Sequence, residues 1–203
     1  MMQMVGGGGE PPLPADYQRL QYVIGTGGGN YSRTQECNIG VYGNAVYEFS
    51  SRVKLQSNVH QWYSILMAKE NNNYILYFQG GVCYYRGTQL GTPVVTSGGS
   101  DMEFSIVVNS NSVVYTRSGV EYTKTNVTSL NNCDGVFVFR MSNLNGGTAE
   151  FYDTFVKRDG ITIAHFIPCK RISDSVCGFY EVFTGTFLYS TSGTAWAAGT
   201  VLT

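Results

Sequence analysis

Ala149 to Lys170, AEFYDTFVKRDGITIAHFIPCK, limits the possible folds of this chain more than any other stretch. Two runs with the two-residue period of half-buried strands flank the pair Asp159-Gly160. That pair suits the two central positions of a type I′ turn, which needs positive φ at both. The stretch therefore predicts a tight antiparallel hairpin. Glu150 and Asp153, on its first run, are three residues apart. In a regular strand they point to opposite faces, so they cannot act as an acid and base facing one cleft unless a bulge intervenes.

The rest of the chain repeats this rhythm. Leu13 to Ile24 leads into a strand with Leu20, Tyr22 and Ile24 on one face, broken by Gly25 and Gly27 to Gly29. Ala45 to Leu55 alternates, with Ala45, Tyr47, Phe49, Val53 and Leu55 on one side and Glu48, Ser50, Arg52 and Lys54 on the other. Gln61 to Lys69, Asn73 to Phe78 and Val82 to Arg86 follow. Glu103 to Asn109, Ser112 to Arg117 and Val120 to Lys124 read as an antiparallel meander. Val136 to Met141 reads as a central strand, and Val176 to Phe183 pairs with Thr186 to Ser190 across Thr184-Gly185.

About thirteen strand candidates and no helical period over ten residues predict an all-β chain, most economically a two-sheet antiparallel β-sandwich. Residues 1–12 read as a flexible Gly/Pro-rich leader or tether, and residues 13–203 as one β-sandwich domain.

Composition narrows the function. Charged residues are 13% of the chain and the net charge is -1, so nucleic acid has no basic footprint to engage. No segment nears the roughly 18 apolar residues of a spanning helix, and the start lacks a secretory pattern. The run Gly25 to Asn30, GTGGGN, lacks the lysine of a phosphate loop and no helical pattern follows it. Cys37, Cys83, Cys133, Cys169 and Cys177 have no CxxC spacing and read as buried thiols, with a Cys169–Cys177 pairing left open. His165, between Ile163 and Ile167 at even spacing, reads as a satisfied core or sheet-surface histidine.

Two segments resemble a recurrent domain of bacteriophage and prophage structural proteins with the concanavalin A-like, laminin G-like jelly-roll fold. They are Leu13-Pro14, Tyr17, Leu20 and Tyr22-Val23 at the start, and a more specific ending. The ending comprises Tyr152-Asp153, Asp159-Gly160, Phe166-Ile167-Pro168-Cys169-Lys170, Gly178-Phe179-Tyr180-Glu181, Gly193-Thr194 and Ala198-Gly199. The resemblance implies a non-enzymatic module on the virion surface, in a head decoration, head fibre or tail. Its leader would dock on other virion structural proteins, and the jelly roll would face outward for host or glycan attachment, as a monomer or a homo-oligomer. A dedicated carbohydrate-binding adhesin is the alternative, with a glycoside hydrolase behind it.

Sugar binding would need exposed aromatics flanked by hydrogen-bonding side chains. The candidates are Trp62, Tyr63, Asn71, Asn72, Asn73, Tyr84, Tyr85 and Arg86. Adjacent aromatics on a strand place one ring inward and one outward, so at most half of the aromatic candidates are open to a ligand. No cofactor is expected. Assistance by Ca²⁺ is the weaker option, because no acidic loop cluster stands out.

Overall fold

The computed structural model describes residues 12–41, 44–55, 61–64, 69–70, 73–74, 76–79, 82–91, 100–128, 130, 135–137, 140–192 and 194–203. Strands are β1 (Tyr17–Arg19), β2 (Val23–Thr34), β3 (Cys37–Val41), β4 (Tyr47–Leu55), β5 (Gln61–Ser64), β6 (Lys69–Glu70) and β7 (Asn73–Tyr74). Next come β8 (Leu76–Gln79), β9 (Val82–Tyr85), β10 (Thr88–Leu90), β11 (Ser100–Val108), β12 (Ser112–Arg117) and β13 (Val120–Thr125). The last are β14 (Gly135–Phe137), β15 (Arg140–Arg158), β16 (Ile161–Arg171), β17 (Cys177–Glu181), β18 (Thr186–Ser192) and β19 (Ala197–Ala198). Every pairing between them is antiparallel, and no described residue is helical.

The hairpin forms as its residues dictate. Asp159 and Gly160 adopt φ 50° and 80°, and Arg158 pairs with Ile161 across them. The turn is also tied to the start of β4, since Val46 N–H donates to Asp159 Oδ1 at 3.0 Å and Asp159 N–H donates to Val46 O at 2.8 Å.

Strand β15, 19 residues long, belongs to both layers. Along one edge, Ala149 to Arg158 pairs with β4 and Arg140 to Asn143 pairs with β5. From these the sheets spread, β4-β11-β12-β13 in front and β5-β8-β9-β10 behind. Along its other edge, β15 pairs with β2 up to Phe151 and with β16 from Thr154. Because β16 also leads through β17 and β18 back to β2, the ladder β15-β16-β17-β18-β2 closes on itself.

With no helix among the described residues to cover them, the apolar faces must cover one another. Tyr47, Phe49 and Val53 of β4, Phe104, Ile106 and Val108 of β11, and Val113 and Tyr115 of β12 are all at most 3% exposed. They share one core with Leu76, Cys83, Tyr85 and Leu90 of the back sheet. The chain is thus a two-sheet antiparallel sandwich. Inside the closed ladder, Trp196 meets Phe151 and Phe179 edge-on, with centroids at 5.1 and 5.6 Å. Edge-to-face contact is the favoured geometry for such rings.

One expectation changes. In the first strand it is Leu20 and Val23 that are fully buried, because the chain breaks phase at Gln21, whose N–H bonds to Thr200 O. Tyr22 instead packs on Tyr152 at 5.3 Å. Residues 138–139 of the run 136–141 lie outside the described residues, between the end of β14 at Phe137 and the start of β15 at Arg140. Of Gln61 to Lys69, β5 and the first residue of β6 are described, and residues 65–68 lie outside the described residues. The proposed leader lies outside the described residues, apart from Pro12.

Cys37, Cys83, Cys169 and Cys177 are buried free thiols. Cys169 and Cys177 stand near each other, since Cys169 pairs with Gly178 and Lys170 with Cys177. Burial pushes the Cys37 thiol up to about 11 and the Cys169 thiol up to about 12. A raised thiol pKa means the native state holds its proton more tightly than the unfolded chain. That part of the stability is whole below about pH 8.5, and it drains away as pH rises toward the native values. Ellman's reagent at pH 8 should leave these four thiols unreacted until the protein is unfolded. Release of two or more thiols from the native protein would contradict this burial.

Two glycines separate conformation from contact. At Gly160 an added Cβ meets nothing within 4 Å, so Gly160→Ala should cost only the left-handed conformation, about 1 kcal/mol. At Gly178 the same atom would collide with the Leu188 carbonyl of β18. Urea unfolding should therefore show Gly178→Ala losing about 3 kcal/mol or more; equal losses would refute the distinction.

Candidate functional site: a groove across the front sheet

The switch of partners along β15 requires a bulge. Phe151 pairs with Val53 and Thr154 with Ser51, so Tyr152 and Asp153 together oppose Arg52. Phe151 and Thr154 are both buried while Tyr152 and Asp153 are half-exposed between them. A two-against-one bulge has this effect: it turns two consecutive side chains to the same side. Glu150, Tyr152, Asp153 and Phe155 thus share the outer face, and the expected separation of Glu150 from Asp153 does not hold.

Glu150 is nonetheless only 4% exposed and is held by Tyr152 Oη at 2.8 Å and Lys54 Nζ at 3.3 Å. Burial, with the Glu150 hydrogen bond second, holds the Tyr152 phenol well above its ordinary pKa. Tyr152 is therefore no base at neutral pH.

Asp153 is the hub. Its Oδ2 accepts from Arg19 Nη2 at 2.8 Å and lies 2.9 Å from His165 Nε2. The imidazole, 6% exposed, stacks on Phe155 with centroids 4.1 Å apart. Behind it, buried Glu181 accepts the backbone N–H of His165 at 3.0 Å and those of Phe183 and Thr184 at 3.2 and 2.6 Å. His165 is thus a satisfied, nearly buried side chain.

In front of Phe155 the register lines up small hydroxyl side chains. Phe155 faces Ser50, Ser50 faces Ser105, and Ser105 faces Thr116. One cleft of about 350 Å³ is lined by Arg19, Gln21, Ser50, Arg52, Glu103, Tyr152, Asp153, Phe155 and Leu202 among others. A second of about 260 Å³, lined by Ser105, Thr116, Ser118 and Gly119, shares Ser50, Glu103 and Phe104 with it. Together they make a shallow polar groove running across the strands. Three interstrand spacings from Phe155 to Thr116 give it a length of about 14 Å.

Arg52 overhangs the groove. It donates to Asp101 Oδ1 at 2.8 Å and lies 4.4 Å above the Tyr152 ring. Its hydrogen bonds to Asp101 hold that carboxyl below its ordinary pKa.

Among the described residues, the sequence-derived sugar candidates line neither cleft. Trp62 and Tyr63 are on β5, between β15 and β8, and their side chains are outside the described set. Asn73 pairs with Glu70, and Asn71 and Asn72 lie outside the described residues. Tyr84 is half-buried. Tyr85 is 1% exposed and donates its hydroxyl to Thr128 O at 2.6 Å, so its ring serves the core and is not presented to a ligand. Arg86 occupies the turn after β9 with φ 48°, near the Tyr85 ring. Among the described residues no group of three or more His, Cys, Asp or Glu side chains is placed to hold a metal ion.

Sequence reading also missed an aromatic ridge on the outside of the ring. Tyr17 packs on Tyr180 and Phe187 at 5.0 and 5.1 Å, and Arg171 lies over Phe187 and Tyr189. These ring faces are already occupied by one another and by the arginine.

The protein is thus an antiparallel β-sandwich with a polar groove across one sheet. No family model and no curated protein matches the chain. Among solved structures it is similar to an alginate lyase, AlgAT5 from polysaccharide lyase family 7, at 12% identity and TM-score 0.44 over 63% of this chain and 62% of the lyase. It is also similar to the galectin LEC-6 of Caenorhabditis elegans, at 8% identity and TM-score 0.40 over 63% of this chain and 96% of that one. The chain therefore spans less than two thirds of the lyase. Likenesses this distant do not bear on what the groove holds, which is read from its own residues.

Removing the hub should unpair both of its donors. Asp153→Ala should cost about 2 kcal/mol, less than a fully buried pair because Asp153 keeps some solvent contact, and Asp153→Asn about half of that. Urea denaturation measures both; a loss under 0.5 kcal/mol for the alanine variant would show that Asp153 does not hold the bulge.

Proposed function

We propose that this protein is a non-enzymatic, glycan-binding β-sandwich displayed on the surface of a bacteriophage particle. The observation that carries the binding half is the groove: small hydroxyls on its floor, an aromatic ring at one end and paired charged side chains on its rim. Sugars are held this way, by stacking on a ring and by hydrogen bonds to a few placed polar groups. The virion half is supported by the terminal segments that resemble phage structural proteins, Leu13 to Val23 and Tyr152 to Gly199.

One feature favours hydrolysis as a second reading. Asp153 and Glu103 line the same cleft, two strands apart across β4, or about 10 Å between backbones. Inverting glycosidases place their carboxyl groups about 6.5–9.5 Å apart. Against this, the Asp153 carboxyl group is already engaged by Arg19 and His165 within the protein, so it is held by the fold and not presented to a substrate.

A glycan array on the purified protein should reveal at least one bound oligosaccharide, with a signal lost in a Ser50→Leu/Ser105→Leu variant that fills the groove floor. Silence across the array up to millimolar sugar would end the binding reading. Release of reducing ends from a bound glycan, abolished by Glu103→Gln, would replace it with the hydrolase. Cryo-microscopy of particles lacking the protein should lose a peripheral density, and unchanged particles would refute the virion half.

A further inference from the structure

We propose that the groove selects uncharged sugar chains over uronate chains, with Phe155 as the residue on which the sugar ring stacks. The inference rests on the reading of the groove as a glycan site and adds the chemical class of the ligand.

The charges around the groove compensate one another. Arg19 and Arg52 line the larger cleft, as do Asp153 and Glu103, so the formal sum there is two positive minus two negative, or zero. Each arginine is already engaged, Arg19 by Asp153 at 2.8 Å and Arg52 by both oxygens of Asp101. Counting Asp101 brings the surroundings to -1. The smaller cleft adds only Ser105, Thr116, Ser118 and Gly119 to the residues shared with the larger one. A uronate chain carries a carboxylate on every sugar and would need at least one arginine released from its partner. Separating such a pair leaves a carboxylate uncompensated beside the incoming anion, and like charges repel at this range. A neutral chain asks for no such rearrangement. It can use the Ser50, Ser105 and Thr116 hydroxyls, and the carboxylate oxygens as acceptors for its own hydroxyls.

Phe155 is singled out by elimination among the aromatic rings that line the cleft. Phe104 is 3% exposed and belongs to the core. Tyr152 lies between Arg52 at 4.4 Å and Tyr22 at 5.3 Å. Phe155 is half-exposed, is backed by His165 at 4.1 Å with the rings 18° from parallel, and opens onto the cleft beside Ser50. The stack on His165 fixes the ring before any sugar arrives, which reduces the ordering cost of binding.

Titration calorimetry on the full chain can decide this, with neutral hexamers (glucose, mannose and N-acetylglucosamine oligomers) and uronate hexamers (mannuronate and galacturonate oligomers) as probes. At least one neutral hexamer should bind about tenfold or more tightly than either uronate, with affinity unchanged between 50 and 500 mM salt. Phe155→Ala should weaken that binding about tenfold, and Phe155→Trp should restore it, while circular dichroism and thermal unfolding show both variants folded. Equal or tighter binding of a uronate, falling with salt, overturns the inference and leaves the glycan reading standing. Failure of every probe to bind, with the array also silent, overturns both. A neutral preference that Phe155→Ala leaves intact overturns the role of Phe155.

Discussion

The bulge at Tyr152 and Asp153, pinned by hydrogen bonds to the Asp153 carboxylate, is the constraint on which the rest of the structure depends. At that point β15 leaves β2 for β16 without losing β4 on its other edge. Without the extra residue, either Phe151 or Thr154 would turn out of the core. The break in the ladder must be stabilised locally, and the Asp153 side chain does this by accepting from Arg19 at the end of β1 and binding His165 on β16. One carboxylate thereby joins β1, β15 and β16 beside the junction.

That junction also explains how a chain without described helices buries so much. Closing β15-β16-β17-β18-β2 into a ring removes exposed edges, and it sets two demands. The interior must be filled, which Trp196 does from the C-terminal segment against Phe151 and Phe179. Backbones must also approach closely, which is why position 178, set against the Leu188 carbonyl, has no side chain. The resemblance in the last third of the sequence is therefore concentrated in the segments that build the ring, and conspicuousness there reflects closure first. The groove arises beside it because the outward residues of β4 and β11 level with Phe155 are serines.

Much of this was legible in the residues, and the exceptions have physical causes. The Asp159-Gly160 turn, the in-out alternation of β4 and the meander β11-β12-β13 each depend on neighbours in sequence, and each was read correctly. The bulge was not, because alternation assumes an unbroken phase. One hint existed: continuing from Phe151 would send Asp153 into the core with it, while Val156 falls on the opposite phase. A charged residue on the buried phase and an apolar residue out of phase together mark a slipped register. The groove was illegible for a related reason, since its residues come from β4, β11, β12 and β15, and only the register makes them neighbours. The aromatic pair Tyr84-Tyr85 is the more conspicuous feature in the sequence, yet Tyr85 serves the core.

The pairing of charges in the groove has a consequence for how such a site could work. With 13% charged residues and the groove's arginines matched by carboxylates, there is no long-range field to draw a ligand in, and association would proceed without electrostatic steering. Binding energy would come from one stacked ring and a handful of hydrogen bonds that largely replace bonds to water, each worth about 1 kcal/mol net. A single groove of this kind would hold a sugar chain weakly. Repeated over the surface of a particle, many such grooves would engage one glycan-coated surface together, and effective concentration would supply the 10²–10⁴-fold gain that no single site contains. A weak, charge-balanced, solvent-open groove would thus suit multivalent display, because each contact could release and re-form while the particle as a whole stays attached.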